Sequence, residues 1–222
     1  MCLVPLAKAQ ENLPSYDRQP IRFGFSLGYN YHNLRVHTRT NYFSQDSLYE
    51  LRPQGGPGFN IGIVSSVLLF KHLDLRFTPQ LSFVDRQLRY TYANTRKSTV
   101  RNIESTYVEF PLTFKLRTVR HRNIGFFLVA GAKYSIDVIS QKKIEQGEDP
   151  FDESTSKVKL TNTDLAYEWG FGWDFYYQYF KFSPEIKFSY GLNDMFKREN
   201  HLYARPIDRM FTRVINFTLY FE

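Results

Sequence analysis

The chain has 222 residues, of which 42% are hydrophobic and 18% aromatic; it holds 21 Phe, 16 Tyr and 1 Cys, and its formal net charge is +7. This length suits one domain, the aromatic share fits strands better than helices, and a lone cysteine excludes a disulfide framework or a CxxC metal site. The basic residues form no clustered helix or recognition motif, which argues against nucleic acid as a partner, and no apolar run is long enough for a transmembrane helix, a test that transmembrane strands escape.

The amino terminus, MCLVPLAKAQ, reads as the end of a secretory signal: a short apolar run, then Ala7-Lys8-Ala9, an A-x-A cleavage pattern before Gln10, with no basic segment ahead of it. Residues 1–9 are therefore expected to be a signal-peptide remnant, with Cys2 lost alongside it, and 10–20 a polar periplasmic arm. From 21 to 222 the chain reads as a barrel. Strand one alternates Ile21, Phe23, Phe25, Leu27, Tyr29 and Tyr31 with Arg22, Gly24, Ser26, Gly28, Asn30 and His32. A polar stretch, Leu34 to Gly56, leads to strand two, Phe59 to Leu69, and only Lys71 and His72 separate it from strand three. Strand three carries Leu73, Leu75, Phe77, Leu81 and Phe83 on one phase and Leu88, Tyr90 and Tyr92 on the other, which predicts a bulge near Val84 to Gln87.

Strand four, Tyr107 to Leu116 (YVEFPLTFKL), alternates strictly: Val108, Phe110, Leu112, Phe114 and Leu116 against Glu109, Pro111, Thr113 and Lys115. A basic turn, Arg117 to Asn123, precedes strand five, Ile124 to Val138. The connection from Ser140 to Asn162 is charged and without periodicity; it suits a mobile loop or an outside contact. Strand six sets Leu165, Tyr167, Trp169, Phe171, Trp173 and Phe175 against Glu168, Gly170, Gly172 and Asp174. Strand seven, Phe182 to Leu192, follows a tight turn, and the loop Asn193 to Asp208 delivers strand eight, Ile215 to Phe221.

Long connections follow strands one, three, five and seven, and short ones follow two, four and six. Strands running up and down then put all long loops at one end and all short turns, with both termini, at the other. This is the pattern of an all-β, eight-stranded, antiparallel up-and-down transmembrane β-barrel in the outer membrane. A soluble ligand-binding barrel would show the same alternation inverted, with the apolar face enclosed. Volume argues against it: eight strands enclose room for side chains or one small ligand, and the small residues, Gly24, Gly28, Gly58, Gly62, Gly131, Gly170, Gly172 and Gly191, share the polar phase. The polar face is therefore expected inside and the aromatic face against lipid, with Phe110, Leu112, Phe114, Trp169, Phe171 and Trp173 as lipid contacts. Tyr29, Tyr31, Tyr90, Tyr92, Tyr134 and Tyr190 near the loop ends, and Tyr177 and Phe180 near a turn, suit interfacial girdles.

The segments RFGFSLGYNY, LDLRFTPQLSF, EFPLTFK, GFGWDFYY and FKFSPEIKFSYGLND, in this order, resemble the outer-membrane barrels of the Bacteroidetes, and more narrowly their PorT members. The resemblance covers almost the whole chain from Ile21 onward. It implies a non-enzymatic outer-membrane component required for type IX protein secretion, acting through protein partners of that machinery, in a membrane whose lipids include lipopolysaccharide. It supplies no catalytic motif to carry over. The alternative is a structural or adhesive surface barrel that binds extracellular ligands through its long loops.

Inside, Arg22, Arg76, Lys115, Lys133 and Lys187 are positioned to meet Glu109, Asp137, Glu168, Asp174 and Glu185. A plug of mutually neutralising ion pairs is expected over a charged channel, because so few strands leave no aqueous bore. His32 and Asp137 near one rim would suit an enzyme, but no motif places a nucleophile. The five histidines show no ligand spacing, so neither metal nor cofactor is expected. The cluster Arg117, Arg120, His121 and Arg122 reads as a solvated turn rather than a docking patch.

Overall fold

The computed structural model describes residues 12–38, 48–92, 98–138, 163–193 and 207–222. The expected signal remnant and the charged 140–162 connection lie outside these residues. Among the described residues ten strands occur: β1 (Ile21–Thr38), β2 (Leu48–Gln54), β3 (Gly56–Phe70), β4 (Leu73–Phe77), β5 (Gln80–Tyr92), β6 (Ser98–Arg117), β7 (Ile124–Asp137), β8 (Thr163–Tyr176), β9 (Lys181–Gly191) and β10 (Ile207–Phe221).

They build eight wall strands. Only Gly55 separates β2 from β3, and the two act as one. β4 and β5 also form one wall strand, interrupted at Thr78 and Pro79 because proline has no N–H for the ladder. The interruption does not shift the register: Phe77 faces Leu112 and Gln80 faces Glu109, the same offset against β6. The Thr78 N–H still reaches the Pro111 carbonyl at 3.1 Å, and the Ile63 N–H reaches that of Pro79 at 3.0 Å.

All pairings are antiparallel, and β1 closes the ring by pairing with β10 on one side and β3 on the other. Where β1 pairs on both sides, from Phe25 to His32, the wall has no edge and its backbone N–H and C=O groups are paired strand to strand, as lipid demands. Alternation then sorts the side chains. Phe23, Ile63 and Phe114 stand on the outside, while Arg22, Ser26, Arg76, Lys115, Glu168 and Ser183 are buried inside.

Two expectations need correction. The pairing of β5 with β6 runs unshifted from Gln80 to Thr91, so strand three has no bulge against β6. The one-residue offset lies instead on the neighbouring strand, between Gly58 opposite Val84 and Gln54 opposite Gln87, around Gly55. The strands also reach further toward the long loops than their alternation suggested. β1 runs to Thr38, β6 starts at Ser98 and β10 at Ile207, and Leu48–Gln54, expected in a polar connection, is strand. In these extensions the apolar residues leave their phase, as at Leu34 and Val36. Only a stretch that crosses lipid must keep one face apolar.

Candidate functional site: the sealed lumen

Eight strands bend tightly, so a bulky inward residue needs a small one across from it. Phe127 is fully buried inside and faces Gly172 on β8; a Cβ at Gly172 would lie 2.5 Å from its ring. Asn30 and Asn60 use the same device, lying opposite Gly58 and Gly28 respectively. Glycines on the polar phase thus make room for the side chains that fill the lumen.

Those side chains form a lattice of charge in three groups of ion pairs. Toward the short turns, Asp74 takes Arg22 at 2.6 Å and Arg117 at 2.8 Å. Arg76 bonds Glu185 at 3.1 Å and Glu222 at 3.5 Å, and Lys181 pairs with Glu222. Lys115 bonds Asp174 at 2.7 Å, where the Ser183 hydroxyl also donates. Glu185 passes the chain upward to Lys187 at 3.5 Å, Lys187 to Glu168 at 3.5 Å, and Glu168 to Lys133 at 3.7 Å. Lys133 ends on Glu109 at 2.9 Å, which also accepts from the Gln80 amide. Aromatic faces complete the packing: the Arg76 guanidinium lies 4.5 Å from the Tyr220 ring centre, and the Lys115 Nζ lies 3.6 Å from that of Phe127.

All ten residues expected in this network are buried within the barrel wall. Nine of them are joined in the pairs above; Asp137, 2% exposed, lies toward the long loops and is not one of those pairs. Phe110, Leu112, Phe114, Trp169, Phe171 and Trp173 are half-buried or exposed on the outer surface. The sequence reading did not give Asp74, Arg117, Lys181, Glu222, Phe127 or Tyr220 a part in the lattice. Their inward phase was readable, but which strand neighbours meet inside depends on the stagger of the ring, which no single strand encodes.

The short-turn mouth is closed by the chain itself. Residues 12–19 precede β1 yet reach β6, the β6–β7 turn and β8 on the far side of the ring. The Asn12 N–H donates to the Asn123 side chain at 2.9 Å, and its amide to the Tyr176 carbonyl at 3.0 Å. Asp17 accepts from Arg117 and, at 2.8 Å, from the Tyr176 hydroxyl. Arg120 donates to the Asn12 carbonyl at 2.8 Å. Between these ties a 3-10 turn, Tyr16–Arg18, buries Tyr16, with Lys181 Nζ 4.8 Å from its ring centre and Tyr176 edge-on at 6.3 Å. Burial pushes the Tyr16 phenol above its usual range, and the nearby Glu222 carboxylate adds to this, so the hydroxyl stays protonated. The expected solvated basic turn is corrected here: Arg117 and Arg120 hold the arm, while His121 and Arg122 are exposed.

Toward the long loops the filling is looser. A cavity of about 10 Å³, room for roughly one water, is lined by His32, Tyr107, Glu109, Lys133, Asp164 and Thr212, among others. The His32 ring stacks parallel to Tyr107 with centres 6.2 Å apart. Among the described residues, no group of three His, Cys, Asp or Glu side chains is arranged to hold a metal ion.

A profile described as "Outer membrane protein beta-barrel domain" matches residues 8–197. The chain belongs to this family. As a member of the outer membrane protein beta-barrel domain family, it resides in the outer membrane. Among curated proteins, none matches the chain. Among solved structures, the barrel is similar to OprG from Pseudomonas aeruginosa, at 9% identity and a TM-score of 0.49 over 90% of this chain and 92% of that one. Neisserial surface protein A is similar at 8% identity and a TM-score of 0.43, over 91% of this chain and 98% of the other. Ail of Yersinia pestis, solved with the heparin analogue sucrose octasulfate, gives 9% identity and a TM-score of 0.38, over 91% and 99%.

Proposed function

We propose that this outer-membrane barrel is a non-enzymatic, non-conducting component that acts through partners, and that its task is type IX protein secretion. The observation that carries the first half is the filled lumen, in which charges pair continuously from Lys181 to Glu109 and the arm covers the short-turn mouth. A barrel without a bore moves nothing through itself, so its work falls to its ends, its loops and its outer wall. The short-turn end, with the arm, faces the periplasm, and the long loops face outward into a surface rich in lipopolysaccharide.

The second half rests on sequence likeness to the PorT members in five ordered segments, from RFGFSLGYNY in β1 to FKFSPEIKFSYGLND in β9. Deleting the gene and assaying export of cargo that carries the C-terminal secretion signal tests it. Cargo retained in the periplasm supports the export role. Normal secretion removes it and leaves the alternative, a structural or adhesive barrel whose loops bind extracellular ligands.

A further inference from the structure

Among the described residues, the outer wall carries one charge. Along the described outward positions of all eight wall strands the residues are aliphatic, aromatic or small and neutral, with the single exception of Arg213 on β10. No Asp or Glu shares that face among the described residues. A cation facing the hydrocarbon is costly at the midplane and tolerated near the interface, so its height decides what it can do.

Register gives the height. Arg213 stands eight residues above Phe221, which lies beside the short-turn end of β9 opposite Phe182. At ~3.3 Å per residue and a tilt of ~40°, that places it ~20 Å up a band ~25 Å tall, just inside the upper interface. Its row agrees: Tyr190 is its partner on β9, Tyr167 is the partner of Tyr190 on β8, and Asn33 faces it from β1. The guanidinium is held over the Tyr190 ring at 5.1 Å from the centre, and Tyr190 and Tyr167 stack at 5.2 Å. Stacking fixes the plane of the guanidinium and leaves its N–H edge for an anion, with tyrosine hydroxyls as further donors at the same level.

We propose that Arg213, backed by Tyr190 and Tyr167, is a binding site on the outer wall for the phosphate headgroup of an outer-leaflet glycolipid. The occupant is lipid-borne rather than free phosphate, because the site sits on the lipid face, where only an acylated ligand can also cover Ile215, Phe188 and Trp169 below it. The proposal rests on residence in the outer membrane and not on the export role, so normal secretion in a deletion strain leaves it standing.

The test is native mass spectrometry of the full barrel in non-ionic detergent, titrated with bisphosphorylated lipid A, with dephosphorylated lipid A, and with inorganic phosphate as competitor. The wild type is expected to retain the phosphorylated lipid at least ~10-fold better than the dephosphorylated one, the worth of one charge-assisted bond. Arg213→Leu, an apolar residue on an apolar face, should fold normally and lose that preference, while Arg213→Lys keeps part of it. Arg213→Gln decides the matter if the leucine variant fails to fold. A preference that survives loss of the guanidinium, or no preference in the wild type, overturns the proposal. Displacement of the lipid by millimolar inorganic phosphate overturns it too, as the mark of a free-anion site.

Discussion

The two faces of this wall meet opposite problems with the same alternation. Inside, each of seven buried cations, Arg22, Arg76, Lys115, Arg117, Lys133, Lys181 and Lys187, stands within ion-pair distance of an acid. Outside, the described surface is apolar with one arginine near the rim. The inner face is specific: each of these cations has an acid, and removing one partner leaves the other in a medium that cannot solvate it. The outer face is generic, since any apolar residue that keeps the phase meets lipid equally well. Stability should therefore be sensitive to identity inside and only to polarity outside.

The largest break in this contrast is expected at Arg76. Arg76→Ala leaves Glu185 and Glu222 without their shared partner and should cost about 3 to 5 kcal/mol, read as a lower urea midpoint for the barrel in lipid vesicles. Next, Phe110→Arg places a charge on the outer face near mid-strand and should cost about 2 to 4 kcal/mol by the same measurement; Phe110→Leu, which keeps polarity and phase, should cost far less. A smaller effect belongs to Glu109→Gln, because Lys133 keeps Glu168 at 3.7 Å and the new amide can still bond; about 1 to 3 kcal/mol is expected.

The arm sharpens the comparison at the lower end of the scale. Asp17 is partly exposed and Arg117 keeps Asp74, so Asp17→Asn should cost under about 1 kcal/mol globally while hydrogen exchange at residues 13–19 accelerates. An unchanged exchange rate there would mean that Asp17 does not hold the arm across the mouth.

How much of this was legible in the sequence follows the same division. Wherever a stretch crosses lipid, as in YVEFPLTFKL, one phase must be apolar, and the eight wall strands and their inward and outward residues could be read from that alone. Beyond lipid the constraint lapses, and the ends of β1, β6 and β10 were lost to view. Phase could say that Asp74 and Glu222 point inward but not that they meet Arg22 and Arg76, because those meetings depend on the stagger between strands far apart in the chain. The arm's polar composition was readable, but its place across the mouth left no signal. A single Tyr16 in a polar stretch has no period, and its burial is decided by what stands at the mouth, namely Lys181, Tyr176 and Arg120.

The claim that the barrel is sealed is tested most directly by conductance. Barrel reconstituted in a planar bilayer at high salt should show no steady current above the bare membrane, because paired, buried side chains fill the lumen from Lys181 to Glu109. Stable, ohmic, protein-dependent current steps in the unmodified barrel would contradict it.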